Sequence, residues 1–525
     1  MKHLSGVDSA FLHLESPEMP MHIGSLNVLD LPEGYSGDFY EDTKAHIQQR
    51  MHLAEVFTRK LVLMPLDISN PVWVDDEDID LDYHIRHVTL PKPGTNRQLQ
   101  QYVARLHSSL LDRSRPLWEF FVIDGLKSGQ VALYSKVHHA GIDGQAGVAV
   151  AKAIFDLEPT GRTVKPPRPR ARRHEYQLGV AELLGAAVRN TLHQSVGLVK
   201  SLPLIARSAK TALIPPKGAN GKRDWSLPKD FKIFAPRTSL NVAITNQRTF
   251  AGRTVPLAEV KLIAKVLGVS LNDVVMATTA GALRTYLKDN NELPDKPLIA
   301  AVPVSLRQEG DTTSNNQVSM VTMNLATDIR DPLQRIQKIH ASSANTKQMM
   351  GRFKAAIPTD FPLPAAPWLM SALASLFSRS RLANVMPPVA NLVISNVAGI
   401  PVQLYFAGAK VVSYYPVSIP AHSMALNVTV QSYNGRLDYG LIACRRAVPD
   451  VNELADDLLA EHRTLLELAR AQLPEPVEVT LAPAKAKPAA PVAMLPRAAP
   501  KAVTKHAPPR KGPVRKRAKP AAVAA

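Results

Sequence analysis

Apolar and polar residues alternate along Gln130–His139 (QVALYSKVHH), a period of two that predicts a β-strand with successive side chains on opposite faces. Pro116–Gly125 (PLWEFFVIDG) reads as a second strand that turns through Gly125 to Gly129 into the first, making a hairpin. Ahead of it, Leu99, Val103, Leu106 and Leu110 fall at helical spacing within residues 96–111. Earlier still the pattern predicts a short helix or turn from Asp8, a strand from Met21, a helix over 40–51, and acid-rich strands at 73–76 and 81–90 closed by Pro91-Lys-Pro-Gly. Beyond the histidines, Gly141 permits a turn and residues 145–157 (QAGVAVAKAIFDL) read as a helix. Residues 1–157 thus form one α/β half.

Residues 158–240 change character. Pro166, Pro167 and Pro169 among arginines predict an extended linker, and Leu178–Arg207 is apolar with sparse basic residues. That stretch fits an amphipathic helix, either bridging two domains or lying on lipid. A second α/β half spans 241–472. It has a helix over 257–267, a helix capped by Ser270-Leu-Asn-Asp and running to Leu287, a buried strand over 298–307, a strand over 318–325 and a helix over 332–350. The apolar run 368–377 reads as core or as the lining of a lipid channel. Strands follow near 392–395, 410–415, 425–433 and 436–444, with Asn434-Gly435 as a hairpin turn, and a helix over 451–471 closes the fold. From Leu473 the Pro, Ala and Lys content forbids a packed core, so 473–525 is expected to be disordered.

Composition narrows the class. A hydrophobic fraction of 45% builds real cores, and the single cysteine, Cys444, excludes an internal disulfide. No apolar run reaches the length of a membrane span, and the N-terminus lacks a signal-peptide pattern. A cytoplasmic protein resting at most against a membrane is expected. The net charge of +18 is concentrated: residues 481–525 carry eleven Lys and Arg without an acid, and residues 161–174 carry six. The remainder is almost neutral, so the basicity belongs to a tail and a linker rather than to the body.

The densest chemistry is Val137-His138-His139-Ala140-Gly141-Ile142-Asp143-Gly144, with two imidazoles able to move protons near neutral pH. Strand parity places His139 with Val131, Leu133 and Val137 on the apolar face, pointing inward, and His138 with Tyr134 and Lys136 towards neighbouring structure. Asp143 fits a helix N-cap as well as a functional role. No third ligand accompanies His139 and Asp143, which argues against a metal.

His138-His139-Ala140-Gly141-Ile142-Asp143-Gly144 matches an HHxxxDG pattern; preceded by Pro116-Leu117-Trp118 and followed by Asn272-Asp273 and Asn391-Leu-Val-Ile-Ser-Asn-Val-Ala-Gly, it makes the chain resemble the bacterial wax ester synthase/acyl-CoA:diacylglycerol acyltransferases. These are a branch of the chloramphenicol-acetyltransferase-like, CoA-dependent acyltransferases. The resemblance implies two pseudo-symmetric domains with a tunnel between them and no cofactor beyond acyl-CoA as co-substrate. It also implies acyl transfer to the hydroxyl of diacylglycerol or a long-chain fatty alcohol. His139 would be the general base, with His138, Asp143 and Gly144 completing the motif. Asp143 would order the turn, with Arg307 as a candidate partner. Asn272 would donate to the oxyanion, although helix capping explains the Asn272-Asp273 pair too. Pro116, Leu117 and Trp118 would shape the acyl pocket or simply pack. Two rival readings remain at this point: a carrier-dependent condensation-type acyltransferase, and a protein whose basic tail binds nucleic acid or anionic lipid. Lipid substrates imply peripheral contact with the inner membrane face or with storage-lipid inclusions.

Overall fold

The computed structural model describes residues 2–4, 6–63, 70–142, 144–166, 234–305, 318–353 and 382–473. The first half contains β1 (Lys2–His3), α1 (Gly6–Leu14), β2 (His22–Asp30), α2 (Phe39–Arg50), β3 (Arg59–Val62), β4 (Val72–Asp75), α3 (Leu81–His84), β5 (Ile85–Thr89), α4 (Asn96–His107), β6 (Trp118–Asp124), β7 (Val131–His138) and α5 (Gly144–Ile154). The second contains β8 (Arg248–Pro256), α6 (Leu257–Leu267), α7 (Leu271–Asp289), β9 (Ile299–Ser305), β10 (Val318–Asn324), α8 (Pro332–Phe353) and β11 (Leu392–Val397). It continues with β12 (Tyr405–Phe406), β13 (Ala409–Val417), β14 (Leu426–Tyr433), β15 (Arg436–Cys444) and α9 (Val451–Arg470).

Local chemistry sets many of the boundaries. Thr95 and Ser270 each close a capping box, with Gln98 and Asp273, at the starts of α4 and α7. Asn434 and Gly435, with φ of 42° and 76°, turn β14 into β15. The expected strand over 81–90 is shorter than its pattern. Asp80 accepts the Tyr83 N–H at 3.1 Å and caps a single helical turn, α3, so extended backbone begins only at Ile85.

Among the described residues the strands form two mixed six-stranded sheets, ordered β12-β13-β2-β7-β6-β5 and β10-β9-β11-β14-β15-β8, and a small sheet β1-β4-β3. The halves are not separate in sequence. β13 runs antiparallel to β2 from Lys410 opposite Asp30 to Val417 opposite Gly24, so late residues complete the early sheet. Hydrophobic periodicity finds such a strand but cannot tell which edge receives it.

Three apolar layers follow. One face of the second sheet packs Val428, Val430 and Leu441 against Val274 and Leu283 of α7 and Leu458 of α9. One face of the first sheet is covered from α2 and α5 by Ile47 and Ile154, over Leu29, Leu133 and Phe120. Its other face, with Leu26, Phe121, Tyr134 and Val417, meets Leu99 and Val103 of α4 together with Phe250 and Ile442 of the second sheet. The sheets approach closely here because Gly440 has no side chain: a Cβ there would lie 1.7 Å from the Pro416 carbonyl oxygen. The stretch 178–207, the apolar run 368–377, Asp143, Arg307 and the tail beyond Leu473 lie outside the described residues.

Candidate active site

The strand parity read along Gln130–His139 stops one residue early. β7 ends at His138, paired with His22 of β2, and His139–Gly141 form a 3-10 turn. His138 rather than His139 is therefore the fully buried ring, and His139 keeps part of its surface accessible.

The His138 side chain caps this turn, its Nδ1 accepting the Ala140 N–H at 3.1 Å. A ring nitrogen that accepts carries no proton, so His138 is the neutral Nε2–H tautomer, inferred from its partners. That Nε2–H faces Glu15 Oε1 at 3.2 Å, off line for a well-formed hydrogen bond but close enough for its positive dipole to favour the carboxylate. Glu15, itself 3% exposed, is held on every side. It accepts the Met21 N–H at 3.0 Å and both Nε and Nη2 of Arg113 at 3.1 and 2.7 Å. Burial pushes its carboxyl up, but His138, Arg113 and the Met21 N–H outweigh burial and hold it at about 2.

His139 is fixed from above and behind. Its N–H donates to the Met21 carbonyl at 2.8 Å, and its ring lies flat on Phe11, centroids 4.0 Å apart and planes 10° from parallel. Its Nδ1 is buried with no hydrogen-bond partner on another described residue. Burial lowers the ring to about 4, against the weaker pull of its own carbonyl. The imidazole is therefore neutral at physiological pH and able to take a proton. Its hydrophobic setting comes from Phe11, Leu12, Leu117 and Ala140, which form one cluster.

Alternate residues of β7 extend a polar face below the turn. Lys136 Nζ pairs with Glu119 at 2.8 Å and donates to the Ser109 carbonyl at 3.1 Å, near the end of α4. The Tyr134 hydroxyl donates to His107 Nδ1 at 2.7 Å, leaving His107 Nε2 to donate to the Ser418 carbonyl at 2.8 Å. Burial drives His107 down to about 3. Ser418 follows β13, Met21 packs into the core of the second half, and Arg248 donates to the Glu18 carbonyl at 2.6 Å. The histidine turn therefore sits where the two halves meet.

The other expected residues are dispersed around this centre. Gly144 begins α5. Asn272 is a half-buried residue in the first turn of α7 and makes no hydrogen bond to the histidine turn among the described residues. Its neighbour Asp273 caps that helix and takes His340 Nδ1 at 2.7 Å. Pro116 and Leu117 are buried next to the turn, the Leu117 carbonyl accepting the His138 N–H at 3.0 Å. Trp118 is wholly buried, donating its indole N–H to the Phe57 carbonyl at 3.1 Å and stacking on His84, which makes it packing for β6. Cys444 is buried at the end of β15. Among the described residues no group of three His, Cys, Asp or Glu is placed to hold a metal, and no helix is long and apolar enough to cross a membrane. A cleft of about 470 Å³ beside Tyr35, Tyr40, His87 and Asp124 also touches Val131. Val131 starts β7 while the histidines end it, so this cleft is not the histidine site.

Sequence reasoning missed Glu15, Phe11 and Arg113. The available signal was a lone carboxylate directly after the apolar helix Gly6–Leu14. Its partners lie roughly a hundred residues away (Arg113 is 98 residues from it), beyond the reach of any spacing rule.

The profile of the wax ester synthase/diacylglycerol acyltransferase catalytic domain matches residues 4–275, and that of the WS/DGAT C-terminal domain matches 314–465. The chain belongs to this family. A Mycobacterium tuberculosis relative named as a diacylglycerol O-acyltransferase is 38% identical over 471 residues, 89% of this chain and 99% of the relative. The O-acyltransferase WSD of Acinetobacter baylyi is 35% identical over 471 residues, 88% of this chain and 96% of that protein. The solved wax ester synthase/diacylglycerol acyltransferase of Marinobacter aquaeolei VT8 superposes with a TM-score of 0.63 at 32% identity, covering 89% of this chain and all of that one. The starter condensation domain of rhizomide synthetase, 11% identical, shares the fold at a TM-score of 0.50, covering 89% of this chain and 94% of that domain. The expected pair of α/β halves is thus the architecture of this WS/DGAT protein, and the chain is an O-acyltransferase.

Proposed function

We propose that the chain moves a long-chain acyl group from acyl-CoA to the hydroxyl of diacylglycerol, or of a long-chain fatty alcohol, with His139 as general base. The observation that carries this reading is the His139 imidazole, held neutral by burial and stacked on Phe11 at the junction of the two halves, in a residue that keeps part of its surface accessible. An alcohol is a poor nucleophile at neutral pH, and a base in reach contributes about 10²–10⁴-fold. The ring takes the hydroxyl proton as the alcohol oxygen bonds to the thioester carbon. The tetrahedral oxyanion then collapses, the C–S bond breaks, and the imidazolium returns the proton to the CoA thiolate. Ester and free CoA leave, and the base is restored with no acyl-enzyme. Asn272 donates to the oxyanion, and Asp143 orders the turn ahead of α5. Leu178–Arg207, the run 368–377 and the basic tail hold the enzyme against a membrane or storage-lipid surface, where its substrates dissolve.

The test offers labelled long-chain acyl-CoA with both acceptors, without any carrier protein. Wild type is expected to form triacylglycerol or wax ester, and His139→Ala to lose about 10²–10⁴ in kcat with its thermal midpoint retained. Near-normal turnover by His139→Ala overturns the assignment of the base. Turnover seen only with a carrier-bound acyl donor overturns the donor.

A further inference from the structure

We propose that Glu15, clamped by Arg113, is a positioning residue for acyl transfer: it selects the tautomer of His138 that caps the turn carrying His139. His138 is 0% exposed, so neither ring nitrogen is satisfied by bulk water. One nitrogen must accept from the Ala140 N–H, 3.1 Å away, to cap the turn. The other must then carry the proton, and the group it faces is a carboxylate at 3.2 Å. The alternative tautomer sets two N–H groups against each other at Ala140 and leaves a bare lone pair towards Glu15, which costs a buried hydrogen bond and adds repulsion. The turn would have to open, and His139 would move with it.

A second contact reaches His139 from the same carboxylate. Glu15 Oε1 accepts the Met21 N–H at 3.0 Å, and the Met21 carbonyl accepts the His139 N–H at 2.8 Å. Glu15 therefore holds both supports of the base: the cap in front of it and the loop before β2 behind it. Arg113 keeps the carboxylate from swinging away, bonding it through Nε and Nη2 and anchoring on the Leu12 carbonyl at 2.8 Å. Leu12 neighbours Phe11, the ring that stacks on His139. Two adjacent histidines thus have a physical division of labour, one holding the geometry and one reacting.

The proposal rests on His139 as base, and the experiment separates the two ideas. Glu15→Gln and Arg113→Met are assayed as full chains, and histidine-selective ¹⁵N spectra are recorded for wild type and both variants. Glu15→Gln is expected to lower kcat about 10- to 100-fold, as displacement of a reacting group does, with KM for acyl-CoA within about twofold and the fold intact. Arg113→Met is expected to cost less, about 3- to 10-fold, because the carboxylate stays but is freer. In wild type the His138 signal is expected to report Nε2–H, and in Glu15→Gln a mixture. A wild-type His138 protonated at Nδ1 overturns the proposal, as does an unchanged kcat in Glu15→Gln. A parallel loss of kcat and thermal midpoint in both variants, with the tautomer unchanged, also overturns it and makes Glu15 a packing anchor only. If His139→Ala retains turnover, the base assignment fails, while the tautomer measurement still decides what Glu15 does to His138.

Discussion

The two six-stranded sheets bury polar groups in opposite ways. Around β7 of the first sheet, Glu15, Glu119, Lys136, His22, His107 and His138 are all enclosed, each tied to its neighbours across the end of α4 or the loop before β2. The helix-covered face of the second sheet is mostly apolar, Arg253 of β8 reaching Asp456 of α9 at 2.7 Å, and the charges buried among its helices serve their ends and crossings: Asp273 in a capping box, Arg335 of α8 on Glu461 of α9 at 2.5 Å. An apolar core tolerates small shifts, whereas a buried polar network fixes angles as well as distances. The half that carries the histidine turn is built from the second material, and the half packed behind it mostly from the first.

Acid should separate the two most strongly. His46 and His139 are lowered by burial to about 4 and His107 to about 3, and His22 and His84 are also driven down. All five lie in residues 1–157, against His422 in the second half, which burial also lowers. Between the unfolded value near 6.5 and these folded values the unfolded chain binds more protons, so stability falls as pH drops through that window. The slope is about 1.4 kcal/mol per pH unit for each histidine. Glu15 acts lower: its contribution is present above its ordinary value and is lost as pH falls through about 2. Hydrogen exchange at pH 5 should therefore release the amides of β2 and β7 before those of α7 and α9; equal or reversed release breaks the contrast.

Lys136→Met is the next largest change. It strips the buried ammonium from Glu119, leaving Arg86 at 3.2 Å as the remaining cation. A loss of about 3–5 kcal/mol in denaturant unfolding is expected, with reduced turnover below the melting range. Leu283→Ala sharpens the comparison from the other side. This fully buried side chain of α7 should cost about 2–5 kcal/mol in the same measurement while kcat at low temperature stays near wild type. A kcat loss in Leu283→Ala larger than that in Lys136→Met would remove the distinction between the halves.

Much of this is legible in the sequence itself. Asn434-Gly435, the Ser270 cap, the hairpin into the histidines and the helix over 451–470 are local features, written in neighbouring residues. His139 is singled out by a strand parity that places it on the inward apolar face, and that reason fails, since the strand ends before it. Glu15, Arg113 and Phe11 were not legible, because what makes them matter is a meeting of segments far apart in sequence. The placement of β13 was hidden for the same cause: its alternation fits either sheet, and only packing across Gly440 and Gly252 selects the edge beside β2.

That late strand has a consequence for how the molecule is made. While a ribosome is still translating the middle of the chain, β2 has β7 on one side and a bare row of amides and carbonyls on the other, because β13 does not yet exist. An unpaired edge of this kind invites intermolecular pairing. That edge of β2 gains its partner only once synthesis passes Val417, so a chain cut short before that residue would keep it bare and is expected to be prone to aggregation.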